Sequence, residues 1–549
     1  MIKWDKIFDI NVSLKVIRHI SAGIYRTPGG AIKELVSNSF DAKANEVSIT
    51  VAPDFHEITV EDDGDGMTEE IIERSLQYIG ASIKVSEPEK FEGEIERPVI
   101  GQFGIGLLSS AHASKEIVVF TYPKDKDYGL EVLIDLSPYF EFENQIHTLE
   151  EFSFGSVKYK KIPRNGKKGT IVKLTKIEKD SNFYKTISRK PEKPKGRIIT
   201  WPTKKEEGDN AEIMDFFVRE IGERGVSSIE YLSGLEKLLW ELGIICPVRY
   251  LPKGPFEGVN LDNETQTIVE GLIKKNEELG FKLFFNNVDV RKPILLPTPK
   301  LRESYIDNLD KVGITEDVRV FPIKIDHNET GKPTIFVRGY AIVQPHRIIP
   351  QEIRGLYPRV KFVGIGGYDS QLFKVLRSTR PMFQMTLSGE LYIFSGLDDA
   401  INLDRSWFIE LDEQYQIMRD EISRIVNEII LVRATEISAR RSKRITRLKG
   451  EHQRKDFLKR IEITMKQVRP SFKVEFLDFA QLELEPSDIF YGRFIVNDEK
   501  RTVYIDEFED DIDLVNVIMI VDSTLSSAPW GKELRLLIAQ KISEILRDL

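Results

Sequence analysis

Glu34, Asn38 and Asp41 are the first residues of this 549-residue chain whose types and spacing could do chemistry. In the run 31–43, AIKELVSNSFDAK, they fall at i, i+4 and i+7 and share one polar helix face. Ile32, Leu35, Val36 and Phe40 recur on another face and predict its buried side. Pro28-Gly29-Gly30 leads into the helix. A stacked carboxylate, amide and carboxylate suit a magnesium nucleotide. The Asn38 amide oxygen can ligate a hard cation that also keeps waters and phosphate oxygens. Glu34, one turn earlier, can take a proton from an attacking water. A solvated helix face with an ordinary Glu and Asn reads the same way in isolation.

Two strand-like runs, 46–51 and 57–61, lead into Asp62-Asp63-Gly64-Asp65-Gly66-Met67. A carboxylate at a strand end can accept a hydrogen bond from an exocyclic amine such as adenine N6. Gly64 and Gly66 let the backbone approach a flat ring, and Met67 offers that ring a polarizable surface. An acidic turn or a calcium loop is the alternative, but the glutamate that closes an EF-hand loop is missing. Next come Gly101, Gln102, Phe103, Gly104, Ile105 and Gly106, a glycine-rich loop ahead of a helical run, whose amides could face phosphates. The charged stretch 84–97 precedes it where a dinucleotide-binding unit needs a strand, and no Gly-Lys-Ser/Thr follows, so neither the Rossmann nor the Walker A pattern applies. A last strand, 169–174, places the Thr170 hydroxyl where it could reach the Asp62 carboxylate through water.

In this order the four pieces resemble the GHKL (Bergerat-fold) ATPase superfamily of DNA gyrase B, the ninety-kilodalton heat-shock chaperones, histidine kinases and MutL. Glu34, Asn38, Asp41 and Ala42 match its N-box, Asp62, Gly64, Gly66 and Met67 its adenine box, 101–106 its lid-hinge glycine box and Thr170 its last box. The resemblance implies ATP and Mg2+ as ligands, and a lid around 78–106 that the γ-phosphate orders. The run 100–119, IGQFGIGLLSSAHASKEIVV, looks closest to the heat-shock chaperones. A second patch, 397–408, LDDAINLDRSWF, resembles their middle-domain loop. It carries Asn402 and Arg405 over as residues facing the nucleotide, with Arg405 on the γ-phosphate. The resemblance makes the chain a divergent relative, for the tail beyond 433 does not match the chaperone dimerisation domain. It further implies a homodimer that hydrolyses ATP slowly in a chaperone-like cycle on a protein client; the alternatives are a nucleic-acid clamp of the MutL or Morc type, or the ATPase switch of an antiviral defence system with a partner effector. A phospho-acceptor histidine ahead of the ATPase region, as in the kinases, is missing.

The elements that must position these residues are α+β throughout. We expect a Bergerat ATPase sandwich at 1–195, an α+β, transducer-like middle domain at 196–430, and a basic helical arm with a small α/β tail at 431–549. The proline- and charge-rich stretch 188–210 reads as the linker between the first two. Gly364-Ile365-Gly366-Gly367 has no helix behind it and reads as a hairpin turn. Residues 433–469 hold thirteen Lys and Arg against four Asp and Glu. Such a run is a solvated arm, a face for an acidic partner, or a contact for nucleic acid phosphates. The net charge of −9 argues against a chain that coats nucleic acid along its whole length. The single cysteine, Cys246, allows no internal disulfide and fits a cytoplasmic setting. No run of eighteen apolar residues predicts a membrane span, and the first twenty residues read as neither signal nor anchor.

Overall fold

A computed structural model of the chain describes residues 28–77, 114–137, 155–191, 196–205, 212–299, 317–328, 334–376, 381–402, 405–477, 484–491, 494–506, 512–527 and 531–547. Helix α1 (Pro28–Asp41) buries Ile32, Leu35, Val36 and Phe40, the face its spacing predicts. It begins earlier than the expected 31–43, because Pro28 fits a first turn in which its missing N–H is not needed. It ends before Lys43, whose φ of 61° lies in the left-handed region.

The helix lies on a large mixed sheet. Strands β1 (Glu46–Val51), β2 (Ile58–Asp62), β3 (Glu116–Tyr122), β4 (Tyr128–Asp135), β5 (Ser156–Pro163) and β6 (Gly169–Thr175) pair antiparallel in the order β5-β4-β3-β6-β2-β1. In β1, Val47, Ile49 and Val51 alternate inward against Glu46, Ser48 and Thr50, the period-two pattern of a half-buried strand. Helix α2 (Glu69–Gln77) follows β2.

The sheet runs on past the expected boundary at 195. Strand β7 (Lys282–Phe285) adds to β1 in parallel and β8 (Val288–Asp289) pairs with β7. Between β6 and β7 come helices α3 (Glu212–Glu223), α4 (Gly234–Ile245) and α5 (Asn263–Glu278). A Ser233–Glu236 capping box starts α4. Glu236 is fully buried, and its carboxylate also accepts the backbone N–H groups of Ile198 and Ile199. Trp201 packs edge-on against Phe285 with ring centroids 5.5 Å apart. The described part of the expected linker is thus packed against its neighbours, because its Ile-Ile-Thr-Trp core outweighs the flanking charge.

A second sheet follows, of β9 (Arg319–His327), β10 (Ile335–Val343), β11 (Gly355–Val360), β12 (Val363–Gly364) and β13 (Leu387–Ser395), in the order β12-β11-β13-β10-β9. Helix α6 (Glu413–Arg424) packs its Tyr415, Met418 and Ile422 into the core of this sheet. A fully buried ion pair sits inside it. Arg359 Nε donates to Glu390 Oε1 at 2.5 Å, and the hydroxyls of Tyr250 and Tyr340 donate to Glu390 Oε2.

The described residues up to Ser438 belong to one compact unit, and 439–549 form the bulk of another. Helix α6 continues through a π-helical stretch, Ile425–Ile430, into the 38-residue helix α7 (Leu431–Val468). The second unit holds a four-stranded sheet, β14 (Lys473–Leu477), β15 (Asp488–Phe490), β16 (Phe494–Asn497) and β17 (Thr502–Asp506), in the order β14-β17-β16-β15. Helices α8 (Ile512–Ser526) and α9 (Gly531–Arg547) close it. No helix among the described residues is long and apolar enough to cross a membrane.

Candidate nucleotide site

Three adjacent strands build one end of the site. In register, Asp62 on β2 stands opposite Thr170 on β6, which stands opposite Thr121 on β3. Residues directly across neighbouring strands share a face of the sheet, so these three form one polar rung. Asp62 is buried, and its carboxylate accepts three hydrogen bonds: Ser39 Oγ at 2.8 Å, Gly64 N at 3.0 Å and Thr170 N at 3.1 Å. Burial pushes its carboxyl above the ordinary range, and these three donors partly offset the rise.

Thr170 also reaches Asp62 directly, through its backbone N–H. Antiparallel register sets that N–H on Asp62, while the hydroxyl pairs with Thr121 Oγ1 at 3.1 Å. Thr121 Oγ1 in turn accepts the Met67 N–H at 2.7 Å. Asp62, Thr170, Thr121 and Met67 are therefore one connected network.

The loop after β2 is locked to the end of α1. The Ala42 carbonyl accepts the Asp65 N–H at 2.8 Å, and a Cβ on Gly64 would stand 2.7 Å from that same oxygen. Gly66 has a φ of 72°, and a Cβ there would lie 2.6 Å from the Tyr122 carbonyl oxygen. The Asp63 carboxylate accepts the N–H groups of Asn45 and Glu46 and pairs with Lys168 at 3.0 Å, so it braces the turn.

Further along α1 are Lys33, Glu34 and Asn38. Asn38 is exposed and Asp41 half-buried. Lys33 is buried, with its Nζ 3.7 Å from Glu34 Oε1. Burial pushes the Lys33 ammonium below its ordinary range; the Glu34 charge opposes this and the Arg405 charge adds to it. Arg405 thus adds to the field at Lys33, although more than three hundred residues separate them in sequence. It occupies a tight turn, with its N–H donating to the Asn402 carbonyl at 2.8 Å, and the Asn402 N–H donates to the Trp407 carbonyl at 2.9 Å.

The start of α1 is held from α4. Glu241 Oε2 accepts the Gly29 N–H at 3.2 Å, placing a carboxylate at the positive end of the helix dipole. Cys246, at the end of α4, is buried near Lys33 and Arg359, and desolvation pushes its thiol up to about 12. It is an inert packing group.

The structure thus groups Ala42, Asp62, Gly64, Gly66, Met67 and Thr170 at one end of the sheet, and sets Glu34 beside the buried Lys33. The glycine box Gly101, Gln102, Phe103, Gly104, Ile105 and Gly106, with the lid at 78–106, lies outside the described residues. Sequence reasoning missed Ser39, Thr121, Lys33 and Glu241. Ser39 gave a faint signal, as a small hydroxyl on the buried side of α1.

Residues 25–162 match the family described as histidine kinase-, DNA gyrase B-, and HSP90-like ATPase. The chain carries a GHKL ATPase domain. Among similar curated proteins is a putative type II restriction enzyme, HgiDII, of Herpetosiphon aurantiacus, 33% identical over 105 residues, which cover 19% of this chain and 16% of that one. The DNA mismatch repair protein MutL of Thermodesulfovibrio yellowstonii is 34% identical over 122 residues, covering 22% of this chain and 21% of its own. The chaperone protein HtpG of Chlorobium phaeobacteroides is 29% identical over 138 residues, covering 21% of each. The matched stretches thus span 16% to 21% of these relatives' lengths. The likeness is one of the ATPase domain, whose mixed α+β sheet the structure describes.

Proposed function

We propose that the chain binds magnesium ATP and hydrolyses it slowly, using closure around the nucleotide as a conformational switch. The observation that supports this reading is the buried Asp62 carboxylate, held by Ser39 Oγ, Gly64 N and Thr170 N beside a turn that Gly64 and Gly66 keep free of side chains. In this reading Arg405 neutralises phosphate charge and Glu34 takes a proton from water. Asp62 accepts the adenine amine at the other end, with Gly64, Gly66 and Met67 along the ring. The exposed Asn38 amide fits a magnesium ion that keeps waters and phosphate oxygens, and that ion supplies charge neutralisation when bound. Glu34 holds and accepts the proton of the attacking water. Arg405 meets the γ-phosphoryl oxygens with two parallel hydrogen bonds. Closure limits turnover, and two protomers associate in the closed form. A protein client or effector reads out the closed state in a chaperone-like manner.

The test is ATP turnover beside nucleotide affinity. Glu34→Ala retains ATP binding and loses a factor of about a hundred to ten thousand in rate. Arg405→Ala retains ADP affinity and turns ATP over more slowly. Full activity in either variant removes that residue from the mechanism.

A second reading makes the same switch a nucleic-acid clamp. It is favoured by α7, whose Lys443, Lys449, Lys455, Lys459 and Lys466 are exposed along a helix of about 57 Å at 1.5 Å per residue. Two of the matched relatives are, by name, a restriction enzyme and a mismatch repair protein. Duplex DNA binding that weakens steeply with salt, and whose salt slope shrinks when these lysines become glutamines, supports the clamp. No binding at low salt removes it.

A further inference from the structure

The glycine cluster at 364–367 touches the Arg405 turn. An antiparallel bridge between Ile401 and Phe408 closes a short hairpin. Within it Arg405 has a φ of 51°, a left-handed conformation uncommon for a residue with a side chain. Such a conformation persists only where its surroundings hold it. Part of the hold comes from within the hairpin, through the Arg405 N–H on the Asn402 carbonyl. The remainder comes from outside. The Gly366 N–H donates to the Arg405 carbonyl at 2.9 Å.

Gly366 itself has a φ of 63°, and a Cβ there would run into the Ser406 carbonyl oxygen and the Trp407 ring. The hairpin therefore sits against bare backbone at this position. Its neighbour differs: a Cβ on Gly367 would meet nothing within 4 Å. The strands behind the cluster are firm. Val363–Gly364 pairs with β11, and the Ile365 N–H donates to the Pro358 carbonyl at 3.0 Å. Trp407 also packs against Phe373 with ring centroids 5.3 Å apart. The Arg405 turn is thus held by this aromatic packing and by the glycine backbone.

We propose that Gly366 is a positioning residue for ATP turnover. It sets the backbone from which Arg405 reaches the γ-phosphate, and it does so through its N–H and its lack of a side chain. The inference rests on the reading of Arg405 given above. A side chain at 366 displaces the Ser406 carbonyl and with it the Arg405 Cα. Misplacement of a charge-assisted contact by about 1 Å costs up to about a hundredfold in rate.

The experiment is a double-mutant cycle on the full chain, read as kcat for ATP and as ADP affinity. Gly366→Ala is expected to lower kcat by about tenfold or more with ADP affinity unchanged. Gly367→Ala is expected to keep the wild-type kcat. The discriminating arm is Gly366→Ala placed in the Arg405→Ala background, where its effect should shrink to about onefold, since a residue acting only through Arg405 has nothing left to position. Where Gly366→Ala lowers stability, all arms of the cycle are measured below its melting temperature, with wild-type ADP affinity as the check that the protein is folded.

A wild-type kcat in the folded Gly366 variant, beside a slow Arg405→Ala, overturns the inference and leaves the Arg405 reading standing. An undiminished loss in the Arg405→Ala background also overturns it, because Gly366 then acts by another route. An equal loss from Gly367→Ala overturns it as well, showing general sensitivity of the turn. A wild-type rate in Arg405→Ala removes the reading beneath it.

Discussion

Asp62→Asn tests the adenine end of the site with little disturbance of the fold. The carboxylate has two distinct edges. Oδ1 accepts the N–H groups of Gly64 and Thr170, and Oδ2 accepts the Ser39 hydroxyl. In the variant the amide oxygen takes the Oδ1 position and keeps both backbone donors. The amide NH2 then faces Ser39, which can rotate to accept it while still donating to the Leu35 carbonyl, its other partner at 3.1 Å. The free protein therefore loses little. The bound state loses its acceptor, because an adenine amine would meet an NH2 group. An unsatisfied buried donor costs about 1–3 kcal/mol, and more where a charged partner has gone. At about 1.4 kcal/mol per tenfold, ADP affinity falls at least ten- to a hundredfold. The pH dependence has a definite sign. Burial raises the folded-state pKa of Asp62, so acidification through that raised value protonates the carboxyl while ordinary aspartates stay ionised. Wild-type ADP affinity then falls with falling pH, whereas the unliganded fold gains from the same protonation. Calorimetry of ADP binding over pH, on both proteins, measures this. Equal affinity of wild type and variant, or a flat wild-type profile through the acid range, refutes the assignment.

Asn38→Ala is expected to raise the magnesium needed for half-maximal ATP binding, with magnesium titration against bound nucleotide as the check. Glu390→Gln is expected to destabilise the fold by about 3–5 kcal/mol, read from the urea midpoint, because it leaves the fully buried Arg359 uncompensated. Burial alone would raise the Glu390 carboxyl, but Arg359, Lys292 and the tyrosine hydroxyls hold it below the ordinary range. Its contribution is thus present above the unfolded pKa of about 4.3, and it is lost as pH falls through the lower folded value. A fragment cut at 195 is expected to be less stable than one cut at 299, as compared by thermal unfolding with and without ADP.

The legible parts of the site were the local ones. Helix α1 declared itself because its apolar and polar residues each recur at helical spacing, and its N-box residues lie within two turns. The Asp62 loop was legible because glycines beside a strand-end carboxylate have few other uses. Ser39 and Thr121 were not legible, since their roles depend on the register of β2, β6 and β3, which no single segment encodes. Thr170 was singled out for its hydroxyl, and the register added a contact the residue type could not announce, its backbone N–H on Asp62. Lys33 gave no signal, because a lysine on a helix is ordinarily solvated, and its burial comes from tertiary packing. Arg405 was reached through resemblance alone, since local physics ties 397–408 to nothing in the first two hundred residues.

The boundary of the site follows from the same contacts. Strand β7 supplies the parallel neighbour of β1, and without it Glu46, Val47, Ser48 and Ile49 would form an open edge. Phe281, just before β7, packs edge-on against Phe40 of α1 with centroids 5.2 Å apart. Fully burying such a ring contributes about 1.5–3 kcal/mol. Glu241 holds the first turn of α1, and the Ile198–Ile199 segment is tied to Glu236 on the same helix α4. The β7, Phe281 and Glu241 contacts reach from beyond 195 to the helix that carries Glu34 and Asn38, or to the sheet beneath it. A displacement of α4 against the sheet is therefore a displacement of the nucleotide helix. The second sheet, which precedes Arg405, is tied to the same region, for its buried Glu390 accepts the hydroxyl of Tyr250, five residues beyond α4. A displacement at the N-terminal helix therefore has a continuous path of contacts, through α4 and Tyr250, to the second sheet.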